Sequence, residues 1–185
     1  MMNIVNSYCG SMMPQLKWGL CFLFLFVACG PDLKVIHEEG VEYQAYLPED
    51  SGQTVRHGYF KVFYDSGKPK TVGQYEHGLR SGLWTNWYEN GQKQGEMDWV
   101  DGHPKGVVVE WYENGQKKNE GFWQENGRHG LSTWWYDSGI KAKEVTYVNG
   151  EPDGIWVYWD STGTVAKKQY WEQGNFLRVE PDSMP

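Results

Sequence analysis

The stretch GLWTNWYENGQK, residues 82–93, returns 24 residues later as GVVVEWYENGQK, residues 106–117, and this recurrence decides the fold. It belongs to a longer register: one glycine column at Gly58, Gly82, Gly106, Gly130 and Gly154, and a second at Gly67, Gly91, Gly115, Gly139 and Gly163. Self-similarity at a fixed period marks a small supersecondary unit copied and stacked on its neighbour. Between the two columns, Leu83, Thr85 and Trp87 alternate onto one face. Val107, Val109 and Trp111 do the same, as do Ile155, Val157 and Trp159. Period-2 alternation of β-branched and aromatic residues predicts a strand.

Each strand runs into Asp-Ser-Gly, Glu-Asn-Gly or Ser-Thr-Gly, where glycine supplies the positive φ of a tight hairpin. A return strand carries a third column, Tyr75, Trp99, Trp123, Tyr147 and Trp171, with Met97 and Val145 on its face. Three-residue segments between Gly78 and Gly82, Gly102 and Gly106, and Gly150 and Gly154 predict a second turn. The third unit has Asn126 where that turn expects glycine and Gly127 one place on, which predicts a reshaped turn.

The expected fold is all-β: five tandem 24-residue hairpins in an antiparallel meander of about ten strands, elongated to about 50 Å. A lone sheet has an apolar face to cover, so curling, twisting, stacking or dimerisation is expected. The row Trp87, Trp111, Trp135 and Trp159 is expected to form the core, and Val41 to Leu47 a capping strand. The predicted organisation is a signal segment over 1–28, a linker over 29–56, the repeat domain over 57–177 and a disordered tail over 178–185.

The units GLWTNWYENGQK and GVVVEWYENGQK, with the closing turns WVDG (99–102) and YVNG (147–150), resemble the MORN repeat. The closer resemblance is to the bacterial variant found in proteins labelled YwqK-type antitoxins. It covers 58–174 and implies a repeat array used for binding, with toxin neutralisation as the role the label suggests. The aromatic hairpin repeats of cell-wall choline-binding modules are similar too, but place the Trp-Tyr pair differently.

Lys17, the apolar run Trp18 to Ala28 and then Cys29 read as a signal segment, since so short a run falls well below the roughly 20 residues that span a bilayer. FVAC, residues 26–29, resembles a lipobox with Cys29 as the lipid acceptor, and translation can start at Met1, Met12 or Met13. Gly30 follows without the aspartate of inner-membrane retention, so a lipid-anchored protein of the outer membrane is expected. Cys9 and Cys21 would leave with the signal, and with them any disulfide or cysteine metal site. The net charge of −7, which becomes −8 on loss of Lys17, lacks the basic footprint of a nucleic-acid or anionic-membrane binder.

No catalytic residue, metal site or cofactor is predicted. Glu96, Glu120 and Glu144 recur two strands apart, about 10 Å, too far to share a metal ion. Ser66 and Ser138 occupy turn positions that Asn90 and Asn114 fill elsewhere, which argues against a nucleophile. The histidines are expected as exposed turn residues. The candidate binding surface is the aromatic face opposite the Trp87 row: Trp84, Tyr88, Tyr112, Trp134, Tyr136, Trp156 and Tyr158. The expected function is a non-catalytic, lipid-anchored envelope protein binding another envelope protein, with homodimerisation as one way to cover the sheet. A glycan or cell-wall module and a toxin-neutralising immunity-type protein are the alternatives.

Overall fold

The computed structural model describes residues 31–49 and 52–181. The strands are β1 (Lys34–Glu38), β2 (Val41–Tyr46), β3 (Val55–Phe63), β4 (Pro69–Glu76), β5 (Leu79–Trp87), β6 (Lys93–Val100) and β7 (His103–Trp111). They continue as β8 (Lys117–Gln124), β9 (Gly127–Trp135), β10 (Lys141–Val148), β11 (Glu151–Trp159), β12 (Val165–Glu172) and β13 (Asn175–Pro181). All thirteen form one antiparallel sheet in chain order. The described residues contain no helix, and the sheet neither closes nor stacks on itself.

Two turn types alternate. After β5 the Tyr88 N–H donates to the Gln92 carbonyl at 2.9 Å and the Gly91 N–H to the Tyr88 carbonyl at 2.9 Å, with Gly91 at φ 92°. The same pair of bonds recurs in every repeat hairpin, at 64–68, 112–116, 136–140 and 160–164. The second type is a two-residue turn with both central residues at positive φ: His77-Gly78, Asp101-Gly102, Asn149-Gly150 and Gln173-Gly174. The third unit is reshaped as its sequence predicts, with positive φ at Gly127 alone.

These tight turns correct the expected three-residue connection. Leu79, Arg80 and Ser81 already pair with Glu76, Tyr75 and Gln74, so β5 starts before Gly82, and Gly82 sits inside the strand where the register shifts. At the ends, β1, β2 and the first residues of β3 lie within residues 29–56, with β2 at the place of the expected capping strand, and β13 runs on to Pro181.

The core lies on the face opposite the one expected. Trp84 is 3% exposed, Val108 5% and Val145 0%, and these belong to one column running across the sheet. Trp84 lies flat over Gly73, where a Cβ would come within 2.2 Å of the indole. Its N–H donates to the Gln74 carbonyl at 3.1 Å, Tyr75 meets it edge-on at 5.1 Å and Arg80 stacks 4.3 Å from its centre. Trp156 repeats the arrangement, donating to the Thr146 carbonyl at 3.0 Å between Tyr147 and Trp171. The expected core row Trp87, Trp111, Trp135 and Trp159 is only half-buried. Leu83, Val107, Leu131 and Ile155 share its face and are 50 to 57% exposed.

Candidate functional site

The seven aromatic candidates fall into two groups. Tyr88, Tyr112 and Tyr136 stand at hairpin starts, and their hydroxyls donate to the carbonyls of Trp111, Trp135 and Trp159, each at 2.8 Å. They tie one repeat to the next, as Tyr64 does to Trp87 at 2.7 Å. Trp84, Trp134, Trp156 and Tyr158 share the core face. Trp84 is buried and leaves the candidate surface, while the other three are half-buried. Burial, with a smaller contribution from Tyr147, raises the Tyr158 phenol above its usual value. Cys29 lies outside the described residues.

The face that stays open is built by the first half of each long strand. Leu83, Val107, Leu131 and Ile155 recur on alternate strands about 10 Å apart. Phe122, 39% exposed, stands directly opposite Val107. Beside this apolar row, Thr85, Val109, Thr133 and Val157 alternate with the glutamate ladder. Each ladder carboxylate meets a lysine of its own return strand: Lys93 with Glu96 at 2.5 Å, Lys117 with Glu120 at 2.6 Å, and Lys141 with Glu144. The same lysines lie 5.4 to 5.9 Å from the ring centres of Trp111, Trp135 and Trp159 in the next repeat. The tryptophan row is therefore roofed by paired charges, and the aliphatic row is not. The alternation visible in the sequence contains this row, but it reads as core until one sees that nothing packs across it.

No group of three or more metal-ligating side chains occurs among the described residues. His57 and His77 do meet, with rings 4.9 Å apart, and Tyr46 bonds His77 Nδ1 at 3.1 Å. His57 Nδ1 accepts the His77 N–H at 3.2 Å, and His129 Nδ1 accepts the Asn149 N–H at 3.4 Å at the equivalent place three units on. That bond is a turn cap repeated with the array. The core face has a hollow of about 260 Å³ floored by Gly95 and edged by Arg80, Asn86, Trp99 and Glu110.

Comparison with known proteins bears on the repeat. The family described as "MORN repeat variant" matches residues 56–77, 80–101, 104–125 and 128–149. None of the curated proteins matches the chain. Among solved structures, "Crystal structure of GtfA/B complex bound to UDP and GlcNAc" is similar at 9% identity and a TM-score of 0.26, over 91% of this chain and 28% of that one. The chain spans under a third of that structure's length, and a likeness at that score carries no argument.

Proposed function

Since the chain belongs to the MORN repeat variant family, with four matched tandem units, we propose that it is a non-catalytic binding protein of the bacterial cell envelope, held by a lipid on Cys29 and engaging another envelope protein through its open sheet face. The observation that carries this reading is the aliphatic row Leu83, Val107, Leu131 and Ile155, half-exposed and evenly spaced across the sheet. On the return strands between them Phe122 stands opposite Val107, while Asp98 faces Leu83 and Thr146 faces Leu131, so the row is an exposed apolar patch broken by two polar residues, and exposed apolar patches rimmed by polar residues mark interaction sites. Burial at about 25 cal/mol per Å² of apolar surface is the driving force such a row offers. The flanking Lys–Glu pairs neutralise each other, so the contact offers aliphatic groups beside a polar rim of paired charges, which suits a protein partner.

The test replaces Leu83, Val107, Leu131 and Ile155 together by threonine, which keeps β-propensity while removing apolar surface. Wild type and variant are cross-linked in membrane extract at matched thermal stability. The reading requires that the wild type capture a defined envelope protein and that the variant lose it. Capture undiminished by the substitutions would move the site elsewhere. Capture of wall polymer alone would favour the glycan reading, and a cytosolic toxin partner the immunity reading.

A further inference from the structure

On the core face, one row can be followed by direct register across successive strands. Its first half is Asn86, Gly95, Glu110 and Asn119, and its second half is Trp134, Lys143, Tyr158 and Lys167. The first half bonds largely within itself: Asn119 Nδ2 donates to Glu110 at 3.2 Å and Thr71 donates to Asn86 at 2.7 Å, although Asn119 Oδ1 is buried without a partner. The second half does not. Lys143 Nζ lies 4.0 Å from the centre of the Trp134 ring, and the Arg128 guanidinium lies 5.0 Å from the same ring. Lys167 stands 4.5 Å from the Tyr158 ring on the next strands. None of these three cations pairs with a carboxylate of any described residue, whereas Lys93, Lys117 and Lys141 on the other face all do.

The repeat supplies its own control. The positions equivalent to Arg128 hold Arg56, Arg80, Pro104 and Pro152; those equivalent to Trp134 hold Val62, Asn86, Glu110 and Tyr158; those equivalent to Lys143 hold Thr71, Gly95, Asn119 and Lys167. Arg, Trp and Lys coincide only in the fourth unit, so the cluster is not part of what stacking the hairpins requires. Burial, then the nearby Arg128 charge, also pushes the Lys143 ammonium below its ordinary value. Two cations on one indole, one of them partly desolvated, are complementary to an anion that the described residues do not provide.

We propose that Arg128, Trp134 and Lys143 form a binding site for a single carboxylate presented by a polypeptide beside an apolar side chain. The carboxylate is held between the guanidinium and the ammonium, and the neighbouring side chain lies on the exposed part of Trp134 and Tyr158. A carboxylate is favoured over a polyanion by the charge of the whole chain, −7. Within a Debye length of about 8 Å at physiological ionic strength a lone carboxylate senses mainly the cluster, while nucleic acid, an acidic polysaccharide or an anionic bilayer also meets the acidic remainder. The site lies on the face opposite the aliphatic row and stands or falls independently of it.

The test titrates the full chain with the peptides Ac-Ala-Phe-Glu-Ala-NH2 and Ac-Ala-Phe-Gln-Ala-NH2, reading the indole N–H resonance of Trp134 and the ε-carbon of Lys143. The glutamate peptide is expected to shift both saturably, and to bind about tenfold more tightly than the glutamine peptide, the scale of one charge-assisted bond over a neutral one. Lys143→Gln should erase that preference and Lys143→Arg should keep it. Lys168→Gln, on the open face opposite Val157, should leave it unchanged. Equal affinity for the two peptides overturns the proposal, as does the absence of a saturable shift. Binding of polygalacturonate or phosphatidylglycerol vesicles at these resonances without binding of the glutamate peptide overturns it too.

Discussion

The Tyr88 hydroxyl donates to the Trp111 carbonyl oxygen at 2.8 Å, spanning 23 residues and one complete hairpin. The bond joins equivalent places in consecutive repeats, and Tyr64, Tyr112 and Tyr136 make it again. Each tyrosine thus couples the end of one long strand to the end of the next, along the edge where the hairpin turns leave strand pairing behind. A neutral hydrogen bond of this kind is worth about 1 kcal/mol net.

Tyr112→Phe, which keeps the ring and removes the hydroxyl, is expected to lower unfolding stability by about 1 kcal/mol, and Tyr112→Ser by clearly more because the ring is lost with it. Urea denaturation of the two variants measures this. An unchanged midpoint for Tyr112→Phe would mean that the tie contributes nothing in solution.

Trp84 and Trp111 make the sharpest contrast between the faces. Trp84→Ala removes a nearly fully buried indole and is expected to cost about 3 to 5 kcal/mol, whereas Trp111→Ala, on a half-exposed row roofed by Lys93, should cost clearly less. Gly73→Ala should approach the Trp84 effect, since its new methyl group would occupy the indole's place. The Gly73 backbone has no positive φ, so the loss would come from the displaced ring and not from backbone strain. Calorimetric Tm values rank the three, and equal losses at Trp84 and Trp111 would contradict the face assignment.

The sequence carries the strands, the hairpins and the reshaped turn at Gly127 legibly, because glycine and asparagine report local backbone geometry. The choice of face was not legible in the same way. Leu83, Val107, Leu131 and Ile155 are as apolar as a core row, while the buried column includes Ser132 and faces Gly73 and Gly121. Burial there arises because small residues let Trp84 and its neighbours lie flat on the sheet, a packing relation between strands that alternation within one strand does not encode. The role of the tyrosine column is hidden for a related reason. Its hydroxyl partners are backbone carbonyls one repeat away, and nothing in the tyrosine itself distinguishes a tie from a contact residue.

Anchoring is tested at Cys29. Cys29→Ser should leave the precursor unlipidated and uncleaved by the lipoprotein signal peptidase, visible as a higher intact mass and altered detergent partition. Identical mass and membrane behaviour in wild type and variant would remove the lipid anchor from the proposed function.

The fifth unit replaces the tyrosine tie by Asp160, whose carboxylate caps its own turn. It accepts from the Thr162 hydroxyl at 2.6 Å, the Thr162 N–H at 2.8 Å and the Thr164 N–H at 3.1 Å. These bonds, led by the hydroxyl, hold its pKa below the ordinary value of 3.8. A carboxylate whose native value is depressed stabilises the fold fully above its unfolded value, and that contribution is lost as the pH falls through the lower native one. Asp160→Asn keeps an acceptor in place and removes the charge, so it isolates this effect from other carboxylates titrating in acid. The wild type is expected to be the more stable at neutral pH, with the difference shrinking toward zero below the ordinary carboxylate range. Thermal melts of both proteins at neutral and strongly acid pH read the change directly. A difference that stays constant on acidification would show that the turn is held by geometry alone, without help from the ionised side chain.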